Sequence, residues 1–80
     1  MNVSEAVASR ILELCKERDI TVNRLCTISA VTQSTVNDIV NSKAKNVDII
    51  TIKKLCDGFE ISIKDFFDTP YFKELEQEIK

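Results

Sequence analysis

Between Gln33 and Asn41 the chain sets amides, hydroxyls and a carboxylate on one side of a helical repeat and aliphatic groups on the other. Val36, Ile39 and Val40 recur at the three- and four-residue intervals of one helix face, while Gln33, Ser34, Asn37, Asp38 and Asn41 fall on the opposite face. A rigid row of such groups donates and accepts hydrogen bonds in fixed geometry, the chemistry that base-pair edges in a major groove require. The competing reading is an ordinary solvated face, because polar residues open many exposed helices.

Other chemistries find little support. The chain has no His, no Gly-rich phosphate loop, and no Ser or Cys with a recognisable base partner, so an enzyme is not expected. Cys15, Cys26 and Cys56 are an odd number, lie far apart and occur without His, which supports neither a disulfide framework nor a zinc site. They read as small apolar side chains in a reducing compartment, with no metal and no cofactor.

The elements that must hold the Gln33–Asn41 stretch follow from spacing and caps. Eighty residues, 44% hydrophobic and 30% charged, suit one small core, and a single Gly and a single Pro leave few turn signals for a sheet. The fold class is therefore all-α. Val7, Ile11, Leu14 and Cys15 give a first helix over about Glu5 to Arg18. Thr21 caps a short second helix with Leu25, Cys26 and Ile28 inward, ending by Ser29. Thr32 caps the third, about Gln33 to Asn41, and the polar run Asn41 to Asn46 reads as a loop. Asp48 caps a fourth helix carrying Ile49, Ile52, Leu55 and Cys56, with Gly58 as its terminator. Ser62 and Asp65 resemble a capping box opening a fifth helix through Phe66 and Phe67. Thr69-Pro70 then starts a sixth, with Tyr71, Phe72, Leu75 and Ile79 as its stripe. Phe66, Phe67, Tyr71 and Phe72 are more aromatic mass than a short tail needs: either Phe66 closes the core beneath the first and fourth helices, or part of this cluster meets a second copy of the chain.

Charge is unevenly placed. The net −2 argues against a phosphate-rich partner, yet from Arg24 to Lys54 five basic residues face two acidic ones, a net of +3. From Asp57 to Lys80 seven acids face three lysines, a net of −4. No apolar run nears the roughly 20 residues of a membrane span, and no signal-peptide pattern opens the chain, so a cytoplasmic location is expected.

The stretch from Thr21 to Asn41, with Leu25, Cys26, Val31, Val36 and Ile39 as its locking apolar set, resembles the helix-turn-helix of the Cro and phage-repressor type, often called the Xre family. Thr51-Ile52-Lys53-Lys54-Leu55-Cys56 and Ile61 to Phe67 are similar to that family's fourth and fifth helices, so the resemblance covers about Glu5 to Phe67. In the family the place of Ala30 is usually Gly, and a small Ala commonly stands at the place of Cys26. Ala at a positive-φ site is strained by roughly 1 kcal/mol.

The resemblance implies a five-helix, lambda-repressor-like domain over residues 1–68, with an extra C-terminal helix over 69–80 as a possible dimer or partner contact. It further implies that Thr32, Gln33, Ser34 and Asp38 face the groove, with Asn37 nearby, and that the recognition helix reads double-stranded DNA. Gln33 is the sharpest of these, since its amide can pair with adenine N7 and N6 together. Asp38 is awkward near phosphates, although it can accept from a cytosine amino group. Phosphate contacts are expected from Asn23 and Arg24, from Asn41 and Lys43, and from Lys45 and Asn46, whereas Lys53 and Lys54 read more readily as solvated. The implied function is a transcriptional regulator, a repressor by occlusion, acting as a homodimer on an operator. The alternative is a protein-interaction module or antitoxin-like regulator that holds a partner through the acidic C-terminal helix.

Overall fold

The computed structural model describes residues 1–44 and 46–79. Among them lie five α-helices, α1 (Val3–Glu17), α2 (Val22–Ser29), α3 (Gln33–Val40), α4 (Ile49–Phe59) and α5 (Ile63–Phe67), followed by a 3₁₀ segment (Pro70–Glu74), with no strand. Each α-helix starts where a side chain can accept from an orphan N–H of its first turn. Thr21 accepts from the Arg24 amide, Thr32 from Thr35, Asp48 from Thr51 and Ser62 from Asp65, as the sequence predicts. At α1 the helix begins earlier than expected because Asn2 and Glu5 form a reciprocal capping box: the Glu5 amide donates to Asn2 Oδ1 at 2.9 Å and the Asn2 amide to Glu5 Oε1 at 3.0 Å.

The core takes Val7, Ile11, Leu14 and Cys15 from α1, Leu25 and Cys26 from α2, and Val36 and Ile39 from α3. Ile52, Leu55, Cys56 and Phe59 of α4 and Phe66 of α5 complete it. Arg10 of α1 and Arg18 at its C-cap tie later parts of the chain to this frame. Arg10 donates through Nε to the Phe66 carbonyl at 2.7 Å and through Nη2 to that of Asp65 at 2.8 Å. Arg18 donates to the Phe59 carbonyl at 3.0 Å and lies over the Phe59 ring. Each guanidinium thus satisfies carbonyls at the C-terminal end of a helix, where the dipole also favours a cation.

The C-terminal end of α4 also departs from expectation. Gly58 does not terminate α4; the helix continues to Phe59, and Glu60 takes the left-handed position at φ 60°. Gly58 is instead where α4 crosses α2: a Cβ there would stand 2.9 Å from Ser29 Cβ, so its absence permits the close approach. Asp19, Ala30, Ser42 and Glu60 hold the positive-φ positions of the described residues, none of them glycine.

The expected sixth helix is a five-residue 3₁₀ segment, after which the backbone is extended at Leu75. Thr69 gives it no side-chain cap, and a helix of this length has too few internal bonds to offset its nucleation. Tertiary contacts decide its shape instead. Phe72 meets Phe67 edge-on with centroids 5.0 Å apart and packs against the core, and the Glu76 amide donates to the Met1 carbonyl. Of the predicted stripe, Ile79 is 88% exposed.

Candidate nucleic-acid interface

The α2-turn-α3 unit is set by its buried side. Leu25 and Val36 are fully buried, and Cys26, Val31 and Ile39 nearly so. Ala30 closes α2 at φ 57°, ψ 37°, and the Val31 amide donates back to the Cys26 carbonyl. That left-handed step turns the chain within Ala30, Val31 and Thr32 and lets α3 begin at Gln33, with its inward face already committed to the core.

The outward face carries Gln33, Ser34, Asn37 and Asp38, all exposed, with Thr32 at the cap and Asn41 following the last turn. The structure therefore places the five residues expected at base edges on one exposed surface. Thr32 is partly occupied, since its Oγ1 accepts from the Thr35 amide at 3.3 Å and shares a hydrogen bond with Thr35 Oγ1 at 2.8 Å. Thr35 is exposed beside it, a polar group that the sequence reading did not single out. Its signal was its position three residues after the cap. Gln33 Nε2 donates to Asn23 Oδ1 near the start of α2, a link across the turn that spacing alone did not reveal.

Asn23, Arg24, Asn41, Lys43 and Asn46 are exposed, and Lys45 lies outside the described residues. Among the described residues Arg24 and Lys43 make no ion pair, so their charges face solvent uncompensated. Lys53 differs, because its ammonium meets the Asp57 carboxylate at 2.5 Å one turn along α4, and that contact raises its pKa. This agrees with reading Lys53 as an ordinary surface group.

The loop after α3 is folded back on the helix. Ser42 adopts φ 58°, and the Lys43 and Ala44 amides both donate to the Asp38 carbonyl at 2.8 and 3.1 Å. A shallow cleft beside α3, lined by Thr35, Asp38, Asn46 and Asp48 among others, separates the loop from the helix. The Asp48 carboxyl is held below the usual carboxylate range, chiefly because the Thr51 amide and hydroxyl donate to it. The 3₁₀ segment packs against α1, and the acidic residues after it leave Gln33 and Ser34 open.

Comparison with known proteins gives two likenesses. Residues 10–70 match a family model described as a Cro/C1-type HTH DNA-binding domain. The crystal structure of the prophage Lp1 protein 11 superposes with a TM-score of 0.81 at 37% identity, covering 94% of this chain and 100% of that one. No curated protein sequence gives a match.

Proposed function

The chain belongs to the Cro/C1-type helix-turn-helix DNA-binding family, and from that premise we propose that it regulates transcription by binding a specific duplex site with α3 in the major groove. The observation that carries this reading is the exposed polar row Gln33, Ser34, Asn37 and Asp38 on a helix whose other side is locked into the core. In this reading Gln33 pairs with adenine, Ser34 bonds to a neighbouring base, and Asn37 and Asp38 read the adjoining step, with Asp38 accepting from a cytosine amino group. Thr32 contributes from the cap. Arg24 and Lys43 neutralise phosphates on either side, with Asn41, Lys45 and Asn46 completing the backbone contacts, which fix register without reading sequence.

Occlusion of a promoter asks nothing more of a domain this small, so the proposed regulator is a repressor working in the cytoplasm without a cofactor. Two copies would occupy half-sites about one helical turn apart, meeting through residues 69–80. The exposed Ile79 and the acidic surface of that segment support a contact there, with this chain or with a basic protein partner. A gel shift with a site selected from random duplexes tests the core of the proposal. Binding must weaken with salt and vanish in a Gln33→Ala, Lys43→Ala double variant; salt-independent binding, or none, overturns it. Sedimentation of the free protein at working concentration tests the dimer.

A further inference from the structure

Most of the large apolar side chains left exposed on this molecule belong to one groove or to the tail beside it. Val3 and Val7 of α1, Val47, Ile49 and Ile52 around the start of α4, and Phe67 of α5 line an open groove of about 170 Å³. That is room for a group the size of benzene, hence for an aliphatic side chain. Val3 and Ile49 are 39% and 57% exposed, and Met1 and Ile50, flanking them in the chain, 52% and 63%. Ile79 of the tail is 88% exposed, and among the described residues only Leu12 and Ile28 are large, apolar, exposed and part of neither groove nor tail. We propose that two copies of the chain exchange tails, Ile79 of each seating in the groove of the other, an inference that deepens the homodimer reading above and rests on it.

The course of the tail selects this occupant. The Glu76 amide donates to the Met1 carbonyl at 3.2 Å, which pins the tail two residues from Val3. Leu75 before the pin is extended, and three further residues carry Ile79 at most about 10 Å beyond it. Ile79 nevertheless stands in solvent instead of filling its own groove. A root beside the groove and a free tip suit a reciprocal exchange across a two-fold axis, because each tail then crosses by a short path and every contact is made twice.

The area suffices for such a pair. The exposed fractions of Met1, Val3, Ile49, Ile50 and Ile79 amount to about three whole apolar side chains, roughly 350 Å² on each copy and about 700 Å² across the axis. At the apolar share of about 65% found in homodimer interfaces, this implies roughly 1,100 Å² in all, just past the ~1,000 Å² that a specific interface needs. Val47 also lines the cleft beside α3, so a copy seated in the groove lies close to the recognition helix, on the side where paired half-sites need the partner.

Sedimentation of the full chain over a concentration series reads the dimer constant of four samples: the unaltered protein, Ile79→Ser, Ser4→Glu, and an equimolar mixture of the two variants. Ser4, half-buried, lines the groove from the first turn of α1, where a carboxylate suits the helix dipole, so the fold is kept while the groove repels an acidic tail. Each variant alone loses both insertions and should dimerise about a hundredfold less tightly than the unaltered protein. The mixture keeps one insertion, the tail of the Ser4→Glu copy in the groove of the Ile79→Ser copy, and should regain about tenfold.

A dimer that either variant leaves intact meets through another surface: the exchange is then overturned and the homodimer reading stands. A mixture no tighter than the variants alone shows that groove and tail are not partners, and overturns the exchange in the same way. If the unaltered protein stays monomeric throughout the series, the homodimer reading fails and takes the exchange with it.

Discussion

Exchanging alanine and glycine at two positions of this chain should move stability in opposite directions, against what local preference predicts at one of them. Ala30 holds φ 57°, ψ 37°, where a Cβ costs roughly 1–2 kcal/mol that glycine avoids. Glycine also loosens the unfolded chain by about 0.4–1 kcal/mol, so Ala30→Gly should stabilise by about 0.5–1 kcal/mol. For a domain of this size that raises Tm by about 3–6 °C. Gly58 lies inside α4, where helix propensity alone would favour alanine by about 1 kcal/mol. The added Cβ, however, would meet Ser29 Cβ at 2.9 Å and both Ser29 Cα and Ile28 Cγ1 at 3.4 Å. Ser29 is buried and its Cα and Cβ cannot swing aside, so α2 must shift, an overpacking of about 1–3 kcal/mol. Gly58→Ala should therefore lower stability by about 1 kcal/mol net, and Tm by about 4–8 °C. Thermal and urea unfolding followed by circular dichroism measure both. A Gly58→Ala protein as stable as the parent would refute the helix-crossing role of Gly58, and an Ala30→Gly protein less stable than the parent would refute the strain assigned to Ala30.

Other perturbations have equally definite outcomes. Arg10→Met removes the two guanidinium bonds to the Phe66 and Asp65 carbonyls and should cost about 2–3 kcal/mol in urea unfolding, where a loss within error would make the tie incidental. Arg24→Ala and Lys43→Ala should each reduce the slope of log affinity against log salt by about 0.9, and an unchanged slope would exclude that residue from phosphate. Because the Asp48 carboxyl is depressed by bonds to Thr51, its stabilising effect is complete above the unfolded pKa and disappears as pH falls through the lower folded value. The stability gap between the parent and Asp48→Asn should thus close below about pH 4, and a gap that widens in acid would contradict the sign.

What could be read in advance was local. Thr21, Thr32, Asp48 and Ser62 announce helix starts because a cap bonds to an amide three residues on, a relation the sequence carries directly. The exposed face of α3 followed from periodicity together with its buried counterpart. Positions that hang on distant contacts were hidden. Gly58 looked like a terminator because glycine usually is one, and only the crossing of α2 over α4 shows otherwise. Asp19, Ser42 and Glu60 gave no sign of left-handed backbone, since the residue type that normally marks it is absent. The apolar stripe of the last segment predicts a helix, but Phe72 packs against Phe66 and Phe67 as helical spacing would not allow. The link between Gln33 and Asn23 depends on an interhelical angle, which no local pattern encodes.

Cys15, Cys26 and Cys56 lie buried in α1, α2 and α4, and burial pushes all three thiols above their ordinary pKa. Sealed and protonated, they are poor nucleophiles while the walls around them stay shut. The protein thus contains three internal clocks, one per wall: the pace at which an alkylating reagent marks each sulfur, read peptide by peptide in a mass spectrometer, times the breathing of its own helix. If α2 opens ahead of α1 and α4, the part that aims the recognition surface is also the most restless, and a bound duplex should slow that sulfur more than the other two.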